Sequence, residues 1–194
     1  MKIHNISTFT TIINRVELNL KLKNLLKVSL DQQKNKNSNK LSNVGGFQSK
    51  NLDKTNKNLS PLLKEIDISI NKIAKEVYDL KTNLQVDNIW CNINEYKDSN
   101  LMHHHPFSIL SGVFYAKVPK NSGEIAFYND SPIDDYIHDS MKNNFNNINA
   151  KTWVFPAEEN VIYIFPSWLK HVVNQNLSNE KRISFSFNTI FKGN

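Results

Sequence analysis

The sequence predicts an α+β fold in which antiparallel strands form a sandwich or barrel backed by N-terminal helices. Three observations carry this expectation. One long amphipathic helix pattern fills residues 60–84; from Gln85 onward the chain breaks into short β-like runs punctuated by Pro, Gly, Asn and Asp; and no helical pattern falls between those runs, which argues against parallel βαβ units. With 194 residues and 39% hydrophobic content, the chain is long enough for one domain with a core and too short for several. Residues 1–194 therefore read as a single domain, with 1–84 a helical and loop part and 85–194 the β core.

Taken in order, Glu17 to Leu30 carry Leu18, Leu22, Leu25, Leu26 and Ser29 at helical spacing, although Leu18, Leu20 and Leu22 also alternate; helix is the better reading of the two. From Asp31 to Asn58 the chain is rich in Asn, Lys, Ser and Gln and reads as a long loop interrupted by Gly45-Gly46-Phe47. A loop of that length suggests a docked functional segment. Ser60 is placed to cap the next helix and Pro61 suits its first position, while Leu63, Ile66, Ile70, Ile73, Val77, Leu80 and Leu84 recur every three or four residues. That face must lie on an apolar surface, so the helix reads as a cover for a sheet. The expected strands are Ile89 to Ile93, Ile109 to Val118, Glu124 to Tyr128, Thr152 to Phe155, Val161 to Phe165, His171 to Asn176 and Ile183 to Phe191. Asp134 to Asn149 is polar and reads as a surface insertion with at most a helical turn.

The net charge of +6 comes almost entirely from Lys interleaved with Asn and Ile, a trio that an AT-rich coding sequence produces whatever the protein does. Compositional bias outweighs nucleic-acid binding as its explanation, and nucleic acid stays open as a partner. Cys91 is the single cysteine, so no disulfide framework or cysteine-based zinc site forms within the chain, and a reducing compartment is expected. No apolar run approaches a membrane span and the opening residues are too polar for a signal peptide. The expectation is a soluble, cytoplasmic protein with no membrane partner; a homodimer stays open.

Chemistry concentrates at the histidines. Three of the six stand together as His103-His104-His105, and His171 follows the apolar run Ile162 to Leu169. In an extended chain His103 and His105 point one way and His104 the other. Two neutral imidazoles joined by a third from a distant strand would make a three-point metal site with positions open for substrate. The alternative is a solvated histidine run with His171 half-buried. Further along, Arg182, Ser184, Ser186 and Asn188 share one face of a strand and Ile183, Phe185 and Phe187 the other. Arg182 follows His171 by eleven residues across the turn Leu177 to Glu180, which places the two on adjacent antiparallel strands. A guanidinium there could hold a carboxylate by paired hydrogen bonds while the other end of the same ligand chelates the metal; a surface salt bridge to Glu180 is the alternative.

Together these residues resemble the 2-oxoglutarate/Fe(II)-dependent oxygenases, in a branch common in bacteria and their phages. The segments that carry the resemblance are Asn43 to Ser49, Trp90-Cys91-Asn92, His103-His104-His105-Pro106, Leu110 to Tyr115, Phe165 to His171 and Arg182 to Asn188, in that order along most of the chain. The resemblance implies a double-stranded β-helix of the jelly-roll or cupin-like kind. It implies a dioxygenase that uses Fe(II), 2-oxoglutarate and O2 to oxidise an unknown substrate while 2-oxoglutarate is decarboxylated to succinate. It assigns His103, His105 and His171 as iron ligands and Arg182, with Ser184, as the anchor for the distal carboxylate of 2-oxoglutarate. Tyr115 is a second donor to that carboxylate or else a core aromatic, and Asn92 and Ser111 are pocket candidates. Phe107, Trp153 and Trp168 would shield the site or pack in the core. The expected location is the cytoplasm of a bacterial or phage-infected cell.

The sequence departs from the superfamily pattern at one place. A carboxylate usually stands two residues after the first His, and His105 stands here. Three neutral ligands leave the iron's double charge uncompensated, which weakens metal retention and favours an anionic chelator. His138, Asp98, Asp130 and Asp134 are candidates for a fourth ligand, with no spacing that selects one. Two other readings stay open: a metal-holding or metal-free β-sandwich acting as a binding or virion-associated module, and a three-His dioxygenase that works without 2-oxoglutarate.

Overall fold

The computed structural model describes residues 1–6, 8–34 and 38–193. Two antiparallel sheets face each other. The six-stranded sheet has the order β1 (Asn14–Glu17), β9 (Val161–Pro166), β6 (Leu110–Lys117), β11 (Arg182–Phe191), β4 (Leu84–Asn94), β3 (Phe47–Gln48). The five-stranded sheet has the order β2 (Asn43–Val44), β5 (Ser99–His103), β10 (His171–Val173), β7 (Ile125–Tyr128), β8 (Thr152–Phe155). Helices α1 (Lys23–Lys34) and α2 (Ser60–Glu76) back the larger sheet through β4. The short helix α3 (Ile133–Tyr136) and a 3-10 turn at Asp139–Met141 lie in the exposed insertion. Among the described residues no helix is long and apolar enough to cross a membrane.

Period-two alternation divides the core. Ile89, Cys91, Ile93, Phe114, Ile162, Ile164, Phe185 and Phe187 of the larger sheet pack with Ile66, Ile70 and Ile73 of α2. Residues of opposite parity, among them Val113, Tyr115, Tyr163 and Phe165, turn toward the second sheet and meet Ile125, Phe127 and Leu169. One sheet thus has a greasy back and an inner face free for chemistry.

The N-terminal expectation is corrected in part. No helix forms over 17–22: β1 pairs with β9, and the alternating Val16, Leu18, Leu20 and Leu22 are each half-buried against the core. Asn160 pins this stretch, its carbonyl accepting from Leu18 N–H (2.7 Å) and its Oδ1 from Leu20 N–H (2.9 Å). The helix starts only at Lys23 and runs on to Lys34, into the expected loop, burying Leu25, Val28 and Ser29. The remainder of that loop supplies β2 and β3, one to each sheet. They are joined through Gly45 and Gly46, both left-handed (φ 67° and 59°). A Cβ at Gly45 would come within 2.0 Å of Asp98 Oδ1, so only glycine fits this crossover.

Helix α2 ends earlier than its spacing suggests. Leu59, not Ser60, is its N-cap, with no side-chain cap; Asn56 O accepts from the Leu59 and Ser60 N–H groups instead (2.9 and 3.2 Å). At the other end Asp79 takes the left-handed φ of 49° and Leu80 N–H returns to Ala74 O (2.9 Å), which closes the helix. Leu80 still reaches the core, whereas Leu84 opens β4. β5, the strand that ends on His103, lies outside every expected run.

Candidate metal centre

His103 ends β5 and His171 opens β10, and the two face each other in the ladder. His105 lies two residues beyond His103, anchored by its own N–H to Ser167 O (2.8 Å). One nitrogen from each of His103, His105 and His171 falls within 4.8 Å of the others. The His103 and His171 ring centroids are 4.3 Å apart, and each lies 5.2 Å from that of His105. His104 is exposed, as alternation requires.

The donor set suits a divalent metal. His103 Nδ1–H donates to Leu101 O (2.7 Å) and His171 Nδ1–H to Leu169 O (2.9 Å), which fixes the tautomer and leaves each Nε2 with a free lone pair. Burial, followed by repulsion from the neighbouring imidazoles, pushes His105 down to about 4 and His171 down to about 3; burial also lowers His103. At neutral pH all three imidazoles are uncharged. Phe165 and Phe127 pack beside His171, and Trp90 lies 5.8 Å from His105. Of the fourth-ligand candidates, Asp98 accepts from Glu95 N–H (2.6 Å), Asp130 pairs with Lys170 (3.0 Å), and His138 Nδ1 accepts from Ser140 N–H (3.2 Å). None joins the cluster, and the Asp134 side chain lies outside the described residues.

Arg182 is not a ladder neighbour of His171, and the sequence expectation is corrected there. It opens β11 of the larger sheet, whereas His171 belongs to the smaller one. The intervening segment is a crossover held at both ends: Asn174 N–H donates to Glu124 O, Leu177 N–H to Asn121 O, and the buried Asn176 Nδ2 to Asn94 O and Glu180 O (2.8–2.9 Å). The two residues therefore approach from opposite sheets. Arg182 is 1% exposed; its Nη1 donates to Ser122 O and to Asn174 O, while Nε and Nη2 have no partner among the described residues. Burial lowers its pKa, opposed by Tyr115 and Glu124. Glu180, the alternative partner, is taken by Lys117 (2.8 Å).

A cavity of about 450 Å³ opens between the sheets, lined by the three histidines, Tyr115, Ser184, Asn92 and Trp90 among others. Ser184 stands opposite Tyr115 across β11 and β6 and shares a strand face with Arg182. Burial raises the Tyr115 phenol, with the Arg182 charge acting against it. Ser111 sits behind the wall, bonded to Ser167 Oγ (2.8 Å) and Asn188 Oδ1 (2.7 Å). Phe107, Trp153 and Trp168 neither shield the site nor pack in the core: they are 100%, 42% and 57% exposed, and none lines the cavity. Phe107 stands in a left-handed turn (φ 65°), Trp153 on edge strand β8 and Trp168 in the β9–β10 turn. Trp90 takes the aromatic place, and Gln48, Asn94 and Asn188 join the wall. Alternation of Asn88, Trp90, Asn92 and Asn94 against Ile89, Cys91 and Ile93 was the available signal.

Residues 88–188 match the family model described as "Putative 2OG-Fe(II) oxygenase". No curated protein matches the chain. Among solved structures, a Pseudomonas putida prolyl-4-hydroxylase is similar at TM-score 0.64 and 11% identity, over 93% of each chain. The non-heme alpha-ketoglutarate-dependent epimerase SnoN of nogalamycin biosynthesis is similar at 0.68 and 14%, over 92% of this chain and 77% of that one. The chain spans about half (55%) of a 2OG-Fe(II) oxygenase family oxidoreductase from Burkholderia pseudomallei, with 68% of this chain covered, TM-score 0.51 and 12% identity. At such identities the likeness establishes the fold, a double-stranded β-helix, while the family match covers more than half of the sequence. The chain belongs to the 2-oxoglutarate/Fe(II) oxygenases, enzymes that use ferrous iron, 2-oxoglutarate and dioxygen.

Proposed function

We propose that His103, His105 and His171 hold the ferrous iron of this oxygenase, and that Arg182, helped by Ser184 and Tyr115, takes the distal carboxylate of 2-oxoglutarate. One observation supports this above others. Unprotonated imidazoles converge at the end of one sheet, and the facing sheet holds, on the strand face that lines the cavity through Ser184, a buried guanidinium with two nitrogens unspent. A guanidinium grips a carboxylate through two parallel hydrogen bonds, and burial strengthens them.

When bound, iron and 2-oxoglutarate supply the oxidation of a substrate C–H bond coupled to decarboxylation of 2-oxoglutarate to succinate. The chain's own residues position and exclude. The Leu101 and Leu169 carbonyls keep the Nδ1 protons in place and aim the Nε2 lone pairs inward. Three neutral ligands leave the cation's double charge uncompensated, which favours an anionic chelator. Phe165 and Trp90 keep apolar surface against the imidazoles.

In this reading the chain works as one unit, because the 1–84 part contributes Asn39, Gln48, Ser49 and Asn51 to the cavity wall. The proposed location is the cytoplasm of a bacterial or phage-infected cell, a reducing compartment that suits the lone, buried Cys91.

Supplied with Fe(II), 2-oxoglutarate and oxygen, the purified protein releases succinate slowly without added substrate. His171→Ala abolishes the release, and Arg182→Ala raises the 2-oxoglutarate requirement about tenfold or more. Unchanged dependence on 2-oxoglutarate in Arg182→Ala contradicts the assignment.

A further inference from the structure

Part of the cavity wall is left over once the metal and 2-oxoglutarate groups are assigned. Across the inner face of the larger sheet, Gln48 of β3 stands opposite Asn92 of β4, Asn92 opposite Ser184 of β11, and Ser184 opposite Tyr115 of β6. Neighbouring strands lie about 4.8 Å apart, so this row runs from the Arg182 side to a polar end two strands away. Trp90 and Asn94 flank Asn92 on the same face of β4.

The amides at that end belong to largely buried residues and have hydrogen-bonding capacity left over on the cavity side. Gln48 is 5% exposed and Asn94 3%, and neither side-chain amide has a hydrogen-bond partner among the described residues. Asn92, 8% exposed, uses one N–H on Ser186 Oγ (3.0 Å) and leaves its Oδ1 open. All three line the cavity. The open atoms of these amides reach the cavity, where a ligand's donors and acceptors can replace water, and three amides with unspent capacity in one wall mark a ligand's place.

Charge narrows the ligand. Among the described residues no Lys, Arg, Asp or Glu side chain lines the cavity, Arg182 itself lying just outside the lining. A charged substrate would lose hydration there and find no counter-ion among the described lining residues. A carboxamide holds a donor and an acceptor side by side in one plane, the complement of another amide. Trp90 adds a flat apolar surface beside them.

We propose that this wall binds the substrate through an amide: an uncharged molecule whose carboxamide or peptide bond is held by Gln48, Asn92 and Asn94 next to Trp90. The inference rests on the proposed function above. Its test uses the protein loaded anaerobically with Fe(II) and 2-oxoglutarate, titrated with N-acetylglycinamide and with N-acetyl-trialanine amide. Tryptophan emission and the visible absorbance of the iron chelate are followed, with methyl glucoside, adenosine and spermidine as comparisons. Saturable binding of either amide, tighter than all three comparisons, is expected, with Gln48→Glu weakening it about tenfold. Tighter binding of the trialanine amide marks a peptide, and tighter binding of the glycinamide a small free amide. A chelate band that forms while neither amide binds, or while glucoside, adenosine or spermidine binds more tightly than both, overturns this inference alone. A chelate band that never forms overturns the reading beneath it.

Discussion

Gly123 stands where any side chain would strike Arg182. A Cβ built on it comes within 2.9 Å of Nη1 and within 2.4 and 2.6 Å of the Asn174 and Gln175 carbonyls, and its φ of 86° is in the left-handed region. The Ser122 carbonyl next to it accepts from the same Nη1. The turn before β7 thus acts as a socket that spends one end of the guanidinium and leaves Nε and Nη2 unspent.

Gly123→Ala therefore displaces the anchor without touching the histidines. The expected result is a rise of about tenfold or more in the 2-oxoglutarate concentration needed for half-saturation, with Fe(II) affinity retained. Arg182→Lys gives no rescue, because an ammonium cannot reproduce the planar fork. Calorimetric titration of both ligands checks this.

Acid reports on His171. Its pKa falls from the ordinary 6.5 to about 3 in the fold, so between those values the unfolded chain binds the extra proton. The contribution to stability is complete above pH 6.5 and is lost as pH falls toward 3, by at most about 1.4 kcal/mol per pH unit. Urea melts of the metal-free protein at several pH values should show this slope, and His171→Gln should flatten it. With His105 at about 4 as well, protons compete poorly with metal at two of the three imidazoles, so metal affinity should fall less between about pH 7 and about pH 5.5 than it would for three free imidazoles.

His105→Asp restores a carboxylate at the position where the superfamily usually has one. The variant should still bind Fe(II), and it should bind 2-oxoglutarate more weakly, because the protein now neutralises one of the cation's charges. Equal or stronger 2-oxoglutarate binding would contradict the role given to the uncompensated charge.

Ile66→Ala removes a side chain that is 0% exposed where α2 meets the larger sheet. The expected loss is about 2–5 kcal/mol of stability with metal binding intact, measured by denaturant melts and by metal titration.

Much of this architecture was legible in the residues, and the gaps have physical causes. Alternation along Arg182 to Asn188 separated a pocket face from a core face correctly, because β11 is central and both its faces are packed. The same logic failed for β5, whose Leu101 and Met102 are exposed on a sheet with a solvated side, so no apolar run announced it. Counting eleven residues from His171 to Arg182 suggested a hairpin; buried Asn176 instead ties the segment into a crossover, a contact that sequence spacing does not encode. The three histidines meet because β5 and β10 pair, whereas Trp90 and Gln48 enter the wall through long-range registers invisible along the chain.

The most direct test is anaerobic titration of the purified protein with Fe(II) and 2-oxoglutarate, watched for the visible absorbance band of the chelate. The band should form in the wild type, disappear in His171→Ala, and require about tenfold more 2-oxoglutarate in Arg182→Ala. A wild type that binds both ligands without the band, or variants that match it, would contradict the three-histidine centre and its guanidinium anchor.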